Sequence, residues 1–98
     1  MTLQFEWDED KAAANLAKHA TSFDEASTVF NDAFSLTIYD EAHSFNEERY
    51  IDIGTSHSLR LLVVVYTERG SHIRIISARQ ATTAERRYYE QRNTYYAR

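Results

Sequence analysis

The sequence predicts an α+β fold in a single domain spanning residues 1–98: a mostly antiparallel sheet of about five strands, with two N-terminal helices and one C-terminal helix packed on it. The first observation is the order of the elements: strand, helix, helix, four strands joined by short connections, and a last helix. The second is the stretch 60–79, RLLVVVYTERGSHIRIISAR, whose unbroken apolar run and returning isoleucines predict a β-hairpin built on a central strand.

The N-terminal segment predicts an edge strand followed by a helix. Leu3, Phe5 and Trp7 alternate with polar residues, which is the pattern of a short strand. Asp8 is placed to cap a helix that runs to about His19. Its spacing assigns four residues to an apolar stripe, Ala12, Ala13, Leu16 and Ala20. It assigns four to the polar side, Lys11, Asn15, Lys18 and His19.

The next segment predicts a shorter helix and two strands. Residues 22–25, SFDE, have the S-x-x-E form of a capping box. The helix that follows is expected to turn four residues inward, Phe23, Ala26, Val29 and Phe30. Residues 34–39 and 49–54 alternate in the manner of strands, and the polar stretch 40–48, DEAHSFNEE, joins them as a loop.

The hairpin turn and the last helix each have a local signal. Gly70 lies where a short hairpin loop requires a positive φ, so the turn is placed at 68–71. Residues 82–85, TTAE, form a second capping box, and the helix that begins there, ERRYYEQR, is rich in arginine and tyrosine.

The returning strand of the hairpin carries arginines among its isoleucines. Arg74 and Arg79 either reach the margin of the sheet and pair with acids, or project into a cleft as fixed forks for phosphate. Strict alternation places positions 74 and 79 on opposite faces of the sheet. Both serve one site only if the strand ends or bulges between them.

Composition argues against several classes of protein. No apolar run approaches the ~20 residues of a membrane span, and the N-terminus lacks the cationic and apolar regions of a signal peptide, so we expect a cytoplasmic protein that does not contact membranes. The chain has no cysteine, and its four histidines show no metal-ligand spacing. We therefore expect no disulfide, no metal and no cofactor.

Charge is divided unevenly along the chain. Residues 1–49 contain eleven acidic and three basic residues, a net charge of −8, whereas residues 50–98 contain eight arginines and four acidic residues, a net charge of +4. Such asymmetry fits a protein whose basic face meets a polyanion or an acidic partner. Mutual neutralisation within the fold is the alternative explanation.

Several motifs follow one another over about residues 5 to 90. They are W-D-x-x-K, K-H, S-F-x-E-A, V-F, H-S-x-x-E-E-R, V-V-Y-T and R-I-I-S-A-R. On these motifs the chain resembles the BrnT toxins of bacterial type II toxin–antitoxin modules. It departs from the usual pattern at Ala20 and at Asp32-Ala33. These are turn positions, so the departures affect local backbone geometry more than the candidate chemistry.

The resemblance implies a RelE-like ribonuclease fold and inhibition of growth and translation by RNA cleavage without a metal ion. It also implies neutralisation by a BrnA-type antitoxin, which represses the shared operon through its own DNA-binding part. Contact of the toxin with DNA is then only indirect. The family further suggests a heterotetramer of two toxins and two antitoxins.

Metal-independent RNA cleavage needs a base for the ribose 2′-OH, cations for the phosphorane and an acid for the leaving 5′-oxygen. The candidate catalytic residues are His19, Glu48, Arg49, Arg74, Arg79 and Tyr66. His19 lies in the last turn of a helix, where the helix dipole favours its charged form. In the loop before Arg49, His43 is a candidate second proton carrier and Glu47 an alternative carboxylate.

These candidates also have purely structural interpretations. His19 then closes a helix at the surface, and Glu48 forms a salt bridge with Arg49 at the start of a strand. Tyr66 is then a core tyrosine whose hydroxyl is hydrogen-bonded, although at the end of the central strand it is also placed to orient a base or the phosphate.

Further contacts to RNA are expected from two helices. The residues assigned to them are Lys11, Lys18, Arg86 and Arg87. The last helix has the mixture of arginine and tyrosine that stacks on single-stranded bases. Amphipathic packing accounts equally well for Tyr88 or Tyr89.

Functions of different classes fit these observations. The leading hypothesis is an RNA endonuclease toxin, and the main alternative is a non-catalytic module that docks a partner and acts on DNA through the complex. The acidic total charge favours the alternative, because phosphate neutralisation dominates RNA affinity. The third hypothesis is a family member that has kept the fold and lost its catalytic activity. An enzyme requires Arg49, Arg74 and Arg79 to converge with His19 on one open pocket, whereas a docking module pairs each arginine with an acid.

Overall fold

The computed structural model describes residues 3–96, with side chains as far as Asn93. In chain order its elements are β1 (Gln4–Glu6), α1 (Glu9–His19), α2 (Phe23–Ser27), β2 (Leu36–Tyr39), β3 (Arg49–Thr55), β4 (Leu61–Arg69), β5 (His72–Gln80) and α3 (Thr83–Tyr96). Short 3₁₀ turns follow α2 at Thr28–Asn31 and precede β3 at Glu41–His43. Over the described residues, no helix has the length and apolar character needed to span a bilayer.

The five strands form one sheet in the order β1-β5-β4-β3-β2. Three of the four neighbouring pairs are antiparallel, and only β1 runs parallel to its neighbour β5. The short strands β1 and β2 are therefore the two edges, and the hairpin strand β4 is at the centre. The predicted α+β class, the edge position of the first strand and the central position of the 61–65 run are all confirmed.

The β4–β5 hairpin closes through Gly70 and Ser71, because the strands end at Arg69 and begin again at His72. Gly70 has a φ of 58°, as the predicted turn requires. The strands thus extend further toward the turn than the sequence pattern indicated. This extension places Arg69 and His72 in the sheet, directly opposite each other.

The two faces of the sheet differ in how they are covered. One face packs against α1, α2 and the following 3₁₀ turn, and its buried core consists of Phe23, Ala26, Val29, Leu62, Val64, Tyr66, Ile73, Ile75 and Ala78. On the opposite face a smaller core of Ile53, Leu61 and Val63 packs against Tyr89 of α3. Helix α3 covers only that end, so the end next to the hairpin turn is left uncovered by the helices of residues 3–96. We call this second side the open face.

All three predicted helix starts have the expected N-cap side chain, although the Glu25 carboxylate accepts from Ser56 and Arg60 in place of completing the predicted box at Ser22. The Asp8 carboxylate accepts from the Lys11 amide at 3.0 Å, and the Ser22 hydroxyl accepts from the Glu25 amide at 3.0 Å. At α3 the box is reciprocal: the Glu85 amide donates to the Thr82 hydroxyl at 3.1 Å, and the Thr82 amide donates to the Glu85 carboxylate at 2.9 Å. These contacts satisfy amides that a helix start leaves unpaired.

The predicted faces of α1 are wrong at four positions: Ala13, Leu16 and Ala20 of the predicted apolar stripe are exposed, and Asn15 of the predicted polar side is buried. Asn15, assigned to the polar side, is only 8% exposed, and Leu16, assigned to the apolar stripe, is 52% exposed. The Asn15 amide donates to the carbonyls of Thr21 at 2.9 Å and Ala78 at 2.8 Å, and its oxygen accepts from the Ala78 amide at 3.1 Å. Strand β1 pairs with β5 only as far as Arg74, so Asn15 takes the place of a strand neighbour beside Ala78.

Replacing either glycine with alanine should destabilise the fold, for a different physical reason at each position. A Cβ on Gly54 would lie 2.7 Å from Val29 Cγ1 and 2.9 Å from Ser35 Cβ, so we expect Gly54→Ala to reduce the free energy of unfolding by about 2 kcal/mol through overpacking. Gly70 has open space around it, and only its positive φ disfavours a side chain there. We therefore expect Gly70→Ala to reduce the free energy of unfolding by about 1 kcal/mol. Urea unfolding of both variants measures the difference, and a larger loss at Gly70 contradicts it.

Candidate functional site

A β-bulge in the hairpin brings Arg74 and Arg79 to the same face of the sheet. Arg74 is paired with Thr67 of β4, and Arg79 is paired with Val63. These partners are four residues apart whereas the arginines are five apart, because the register shifts between Val65 and Tyr66. Directly paired residues share a face, so both arginines lie on the open face. The bulge that the sequence left undecided is present.

A row of paired residues crosses four strands at the uncovered end of the open face. Arg49 of β3 is paired with Thr67 of β4, Thr67 with Arg74 of β5, and Arg74 with Glu6 of β1. Thr67 is buried, and its hydroxyl donates to the Glu48 carbonyl at 2.7 Å. Two strand spacings, about 10 Å, separate the backbones of the two arginines. Their long side chains therefore flank Thr67, which is only 2% exposed.

The next row toward the turn adds two more basic side chains. Arg69 follows Thr67 by two residues and is paired with His72, which precedes Arg74 by two. By alternation both lie on the open face. We call Arg49, Arg69, His72 and Arg74 the basic cluster.

The arginines of the basic cluster differ in their partners. Arg74 Nη1 donates to the Glu6 carboxylate at 2.7 Å, and both side chains are partly exposed. Arg69 Nη2 lies 3.2 Å from the Glu47 carboxylate in an exposed pair. Arg49 Nε is buried and has no hydrogen-bond partner among residues 3–96. A buried guanidinium nitrogen without an acceptor is unfavourable, which distinguishes Arg49 from the two paired arginines of the cluster.

A pocket of about 260 Å³ adjoins the basic cluster. Its lining residues are His43, Phe45, Asn46, Glu47, Arg49 and Arg69. The loop between β2 and β3 thus brings a histidine and a carboxylate beside two arginines of the cluster. His43 Nδ1 lies 3.0 Å and 3.1 Å from the two carboxylate oxygens of Asp40. The arrangement combines phosphate-binding cations with groups that transfer protons.

Arg79 lies on the open face but at the end that α3 covers. Its guanidinium makes two hydrogen bonds to the Glu85 carboxylate, at 2.7 Å and 2.8 Å. These bonds lower the pKa of Glu85 to about 2. Arg79 and Glu85 also line an apolar groove between α3 and the sheet, with Ile51 and Tyr88 among its walls. The pair therefore attaches the start of α3 to β5.

Tyr66 lies on the helix-covered face, opposite to the basic cluster. It is buried, and its hydroxyl donates to the Asp52 carboxylate at 3.1 Å. Asp52 is 3% exposed and also accepts from the Thr37 hydroxyl at 2.7 Å. Burial raises the pKa of Asp52 in spite of these two hydrogen bonds, and burial also raises the pKa of Tyr66. The position of Tyr66 therefore fits a core tyrosine with a hydrogen-bonded hydroxyl, and it does not fit a residue that contacts RNA directly.

Asp52 predicts a pH dependence of stability. Its pKa is raised on folding, so its favourable contribution is present below the unfolded value of ~3.9 and is lost as pH rises through the folded value. In Asp52→Asn the amide oxygen can still accept hydrogen bonds from the Thr37 and Tyr66 hydroxyls, but the side chain at position 52 can no longer ionise. We expect the free energy of unfolding of the variant, relative to the native chain, to increase from about pH 4 to about pH 7. Urea unfolding across this range measures it, and a difference that is independent of pH contradicts it.

Comparisons with known proteins give the family. The model of the ribonuclease toxin BrnT of type II toxin–antitoxin systems matches residues 7–85. The chain belongs to the BrnT family. A crystal structure of the Brucella abortus ribonuclease toxin BrnT is similar to it with a TM-score of 0.65 and 26% sequence identity, covering 84% of this chain and 100% of that chain. A search of curated protein sequences finds no significant match.

The resemblance inferred from the motifs is therefore confirmed. The α+β class, with a five-stranded, mostly antiparallel sheet and three α-helices, agrees with the solved BrnT structure. The family description identifies a ribonuclease toxin and implies an antitoxin partner. Within the described part of this BrnT-family chain, no group of three or more His, Asp or Glu side chains is arranged to hold a metal ion.

The remaining predicted site residues do not join the basic cluster. His19 ends α1, and Lys11 and Lys18 are exposed on the same helix, which packs on the opposite face of the sheet. Glu48 is exposed, and its carboxylate accepts from the Tyr50 hydroxyl at 3.4 Å on that same face. The structure thus separates His19 from the arginines with which an enzyme site was expected to combine it.

Arg86 and Arg87 are exposed on α3, at the far end of the open face from the basic cluster. They lie on the side of the molecule that carries the arginines, and their expected contact with RNA is compatible with this position. Arg92 of the same helix stands over the Tyr88 ring, with Cζ 5.6 Å from the ring centroid.

Sequence reasoning missed Arg69, which it placed in the turn at 68–71, and His72, which follows that turn. The available signal was the alternation from Val63 through Val65 and Thr67, which reaches Arg69 if the strand is extended to the glycine. The role of Glu6 had no local signal. Its pairing with Arg74 depends on a contact between residues 68 positions apart in the sequence.

Proposed function

We propose that this chain is a type II toxin that cleaves RNA without a metal ion at the basic cluster and its adjoining pocket. The observation that carries the proposal is the row from Arg49 over Thr67 to Arg74, with Arg49 also lining the pocket. The RelE-like classification that the family resemblance implies is part of the same proposal. It is supported by a sheet that helices cover on one face and leave largely uncovered on the other.

Cleavage proceeds by attack of the ribose 2′-oxygen on the adjacent phosphorus. The O2′–P bond forms and the P–O5′ bond breaks, which leaves a 2′,3′-cyclic phosphate and a free 5′-hydroxyl. Arg49, Arg69 and Arg74 stabilise the charge that develops on the phosphorane. His43 and Glu47, which line the same pocket, are the nearest groups able to accept or donate protons.

The ion pairs in the cluster are compatible with phosphate binding. Glu6 and Glu47 bond Arg74 and Arg69 in partly exposed positions, where an ion pair contributes only about 0–1 kcal/mol. An RNA phosphate can therefore exchange with either carboxylate at little cost. Arg79 is held by two bonds at α3, so we place it in the structural support of the site and not among the phosphate ligands.

The partners follow from the family. Neutralisation by a BrnA-type antitoxin, a complex of two toxins and two antitoxins, contact with DNA only through the antitoxin, and a cytoplasmic location are parts of the same proposal. Their support is membership of a toxin–antitoxin family.

The alternative is a module that docks a partner without catalysis. Two observations favour it: Arg74 and Arg79 each pair with an acid, and an apolar groove lies under α3 on the open face. The two functions differ in whether the chain acts alone. A docking module has no effect on growth without its partner.

Induced expression in a bacterial host tests the proposed function. The native chain should arrest growth and deplete cellular RNA, and Arg49→Ala combined with Arg69→Ala should do neither at equal protein level. Both positions are at the surface or partly exposed, so the double variant should keep the native circular dichroism spectrum. Normal growth with the native chain, or arrest by the folded double variant, contradicts the proposal.

A further inference from the structure

In the loop between β2 and β3, His43 pairs with a carboxylate, Asp40, to which the proposed chemistry gives no role. We propose that Asp40 is a positioning residue that holds His43 as the general base of RNA cleavage. This inference rests on the proposed ribonuclease function. It names the proton carrier, whereas the sequence left the choice open among His19, His43 and the carboxylates.

Backbone and hydroxyl contacts fix Asp40 to the start of β3. The Asp40 amide donates to the Arg49 carbonyl at 2.8 Å. The Ser44 hydroxyl donates to the Asp40 carbonyl at 2.6 Å and accepts from the Arg49 amide at 3.0 Å. The loop is thus tied at both ends to the residue that carries the buried, unpaired Nε. Any movement of Asp40 relative to Arg49 breaks these bonds.

The carboxylate and the imidazole differ in exposure. The Asp40 side chain is 12% exposed, whereas that of His43 is 65% exposed. The buried partner is therefore the fixed one, and the exposed ring is held by it. This is the arrangement expected of a ring that must meet a substrate in solution while its orientation is set from below.

Asp40 also determines which ring nitrogen is free. A carboxylate only accepts hydrogen bonds, and both oxygens of Asp40 face Nδ1 of His43 at 3.0 Å and 3.1 Å. Nδ1 must therefore carry a hydrogen and donate it. In the neutral ring Nε2 then has the lone pair, which is the form a general base needs.

The ring lines the pocket whose other walls include Glu47, Arg49 and Arg69. A phosphate bound by the two arginines therefore lies next to His43. Nε2 takes the proton of the 2′-hydroxyl as the O2′–P bond forms. The P–O5′ bond breaks, the departing 5′-oxygen takes a proton from solvent, and the imidazolium, stabilised by Asp40, returns its proton to solvent afterwards.

Kinetics and NMR on four variants of the full chain test this assignment. The variants are Asp40→Asn, His43→Gln, the double variant of the two, and His57→Gln as a control. His57 is an exposed histidine in the β3–β4 connection, remote from the basic cluster. For each variant, kcat and KM are measured on a single-stranded RNA oligomer in EDTA. Long-range proton–nitrogen NMR correlation of the histidine rings identifies the tautomer of His43 without any substrate.

We expect Asp40→Asn to lower kcat by about 10-fold to 100-fold and to change KM by less than about twofold. His43→Gln should lower kcat at least as far, and the double variant should cleave no more slowly than His43→Gln alone, because both residues act through one proton transfer. The native ring should be in the Nδ1–H form. In Asp40→Asn the amide can donate to Nδ1, so the Nε2–H form should appear. His57→Gln should cleave as the native chain does.

Three results overturn the inference: an Asp40→Asn chain that cleaves at the native rate, losses that multiply in the double variant, or a His43 tautomer that is unchanged by Asp40→Asn. A native chain that cleaves no RNA rejects the ribonuclease function and this inference with it. The NMR spectrum of the native ring then separates that failure from a failure of the Asp40 contact, because it requires no cleavage.

Discussion

Replacing Arg49 with alanine lowers kcat/KM for RNA cleavage by about 100-fold to 1,000-fold, which is the usual effect of removing one preorganised donor from a transition-state charge. Arg49 has the largest expected effect because it belongs to both the strand row and the pocket. Its Nε is also the one buried side-chain nitrogen or oxygen without a hydrogen-bond partner in the described part of the chain. Removing the side chain removes a phosphate donor and breaks none of the ion pairs formed among the described residues. The rates are measured on a single-stranded RNA oligomer.

Arg60→Gln is the matched control for the loss of one positive charge. Arg60 bonds the Glu25 carboxylate and the Ala20 carbonyl, at the opposite end of β4 from the basic cluster. This variant should unfold at a lower temperature than the native chain but cleave RNA at the native rate below that temperature. Arg49→Ala should show the reverse pattern. Equal loss of activity in the two variants contradicts the assignment of Arg49 to the site.

Asn15→Ala reduces the free energy of unfolding by about 3 kcal/mol, the largest loss that we expect from a polar residue of this fold. The substitution removes three buried hydrogen bonds and leaves the Ala78 amide, the Ala78 carbonyl and the Thr21 carbonyl without that partner. Each unsatisfied buried group costs about 1–3 kcal/mol, and partial access of water reduces the sum. The loss appears as a lower urea midpoint with an unchanged slope.

Asn31→Ala is the control for Asn15→Ala, because Asn31 is exposed in the 3₁₀ turn after α2. Its effect should lie within about 0.5 kcal/mol of zero. Asn15→Ala should also leave the basic cluster in place, since Asn15 contacts the helix-covered side of β5. A loss below about 1 kcal/mol for Asn15→Ala contradicts the role of its amide as a substitute for a strand neighbour.

Elements whose signals are local were predictable from the sequence. The caps at Asp8, Ser22 and Thr82 depend on residues within one helical turn, and the structure shows each of them. The hairpin depends on Gly70 and on two apolar runs beside it. In these cases the chemistry that forms the element is complete within a short window of sequence.

Features that depend on distant parts of the chain were not predictable. Asn15 is polar and was assigned to the solvent side, but β1 ends too early to pair with Ala78, and the amide fills that position. The shared face of Arg74 and Arg79 depends on a bulge that no residue type marks. Tyr66 and Arg49 lie on neighbouring strands and on opposite faces, so their order in the sequence does not show that they are separated.

The family could be inferred from the motifs, but the site required the fold. Three arginines of the basic cluster come from three strands, and only the sheet order brings them to one end of one face. His43 and Asp40 are close in sequence, yet their contact and their position beside Arg49 depend on how the loop closes onto β3. The acid–base residues are therefore assigned from geometry and not from residue type.

Incubation of the purified chain with a single-stranded RNA in EDTA tests the central claim most directly. An Arg49→Ala, Arg69→Ala, Arg74→Ala variant, checked for native folding by circular dichroism, is run beside it. The native chain should produce fragments that end in 2′,3′-cyclic phosphate, and the folded variant should produce none. Intact RNA with the native chain, in EDTA and with added magnesium alike, or equal cleavage by the two chains, would contradict a metal-independent ribonuclease site at the basic cluster.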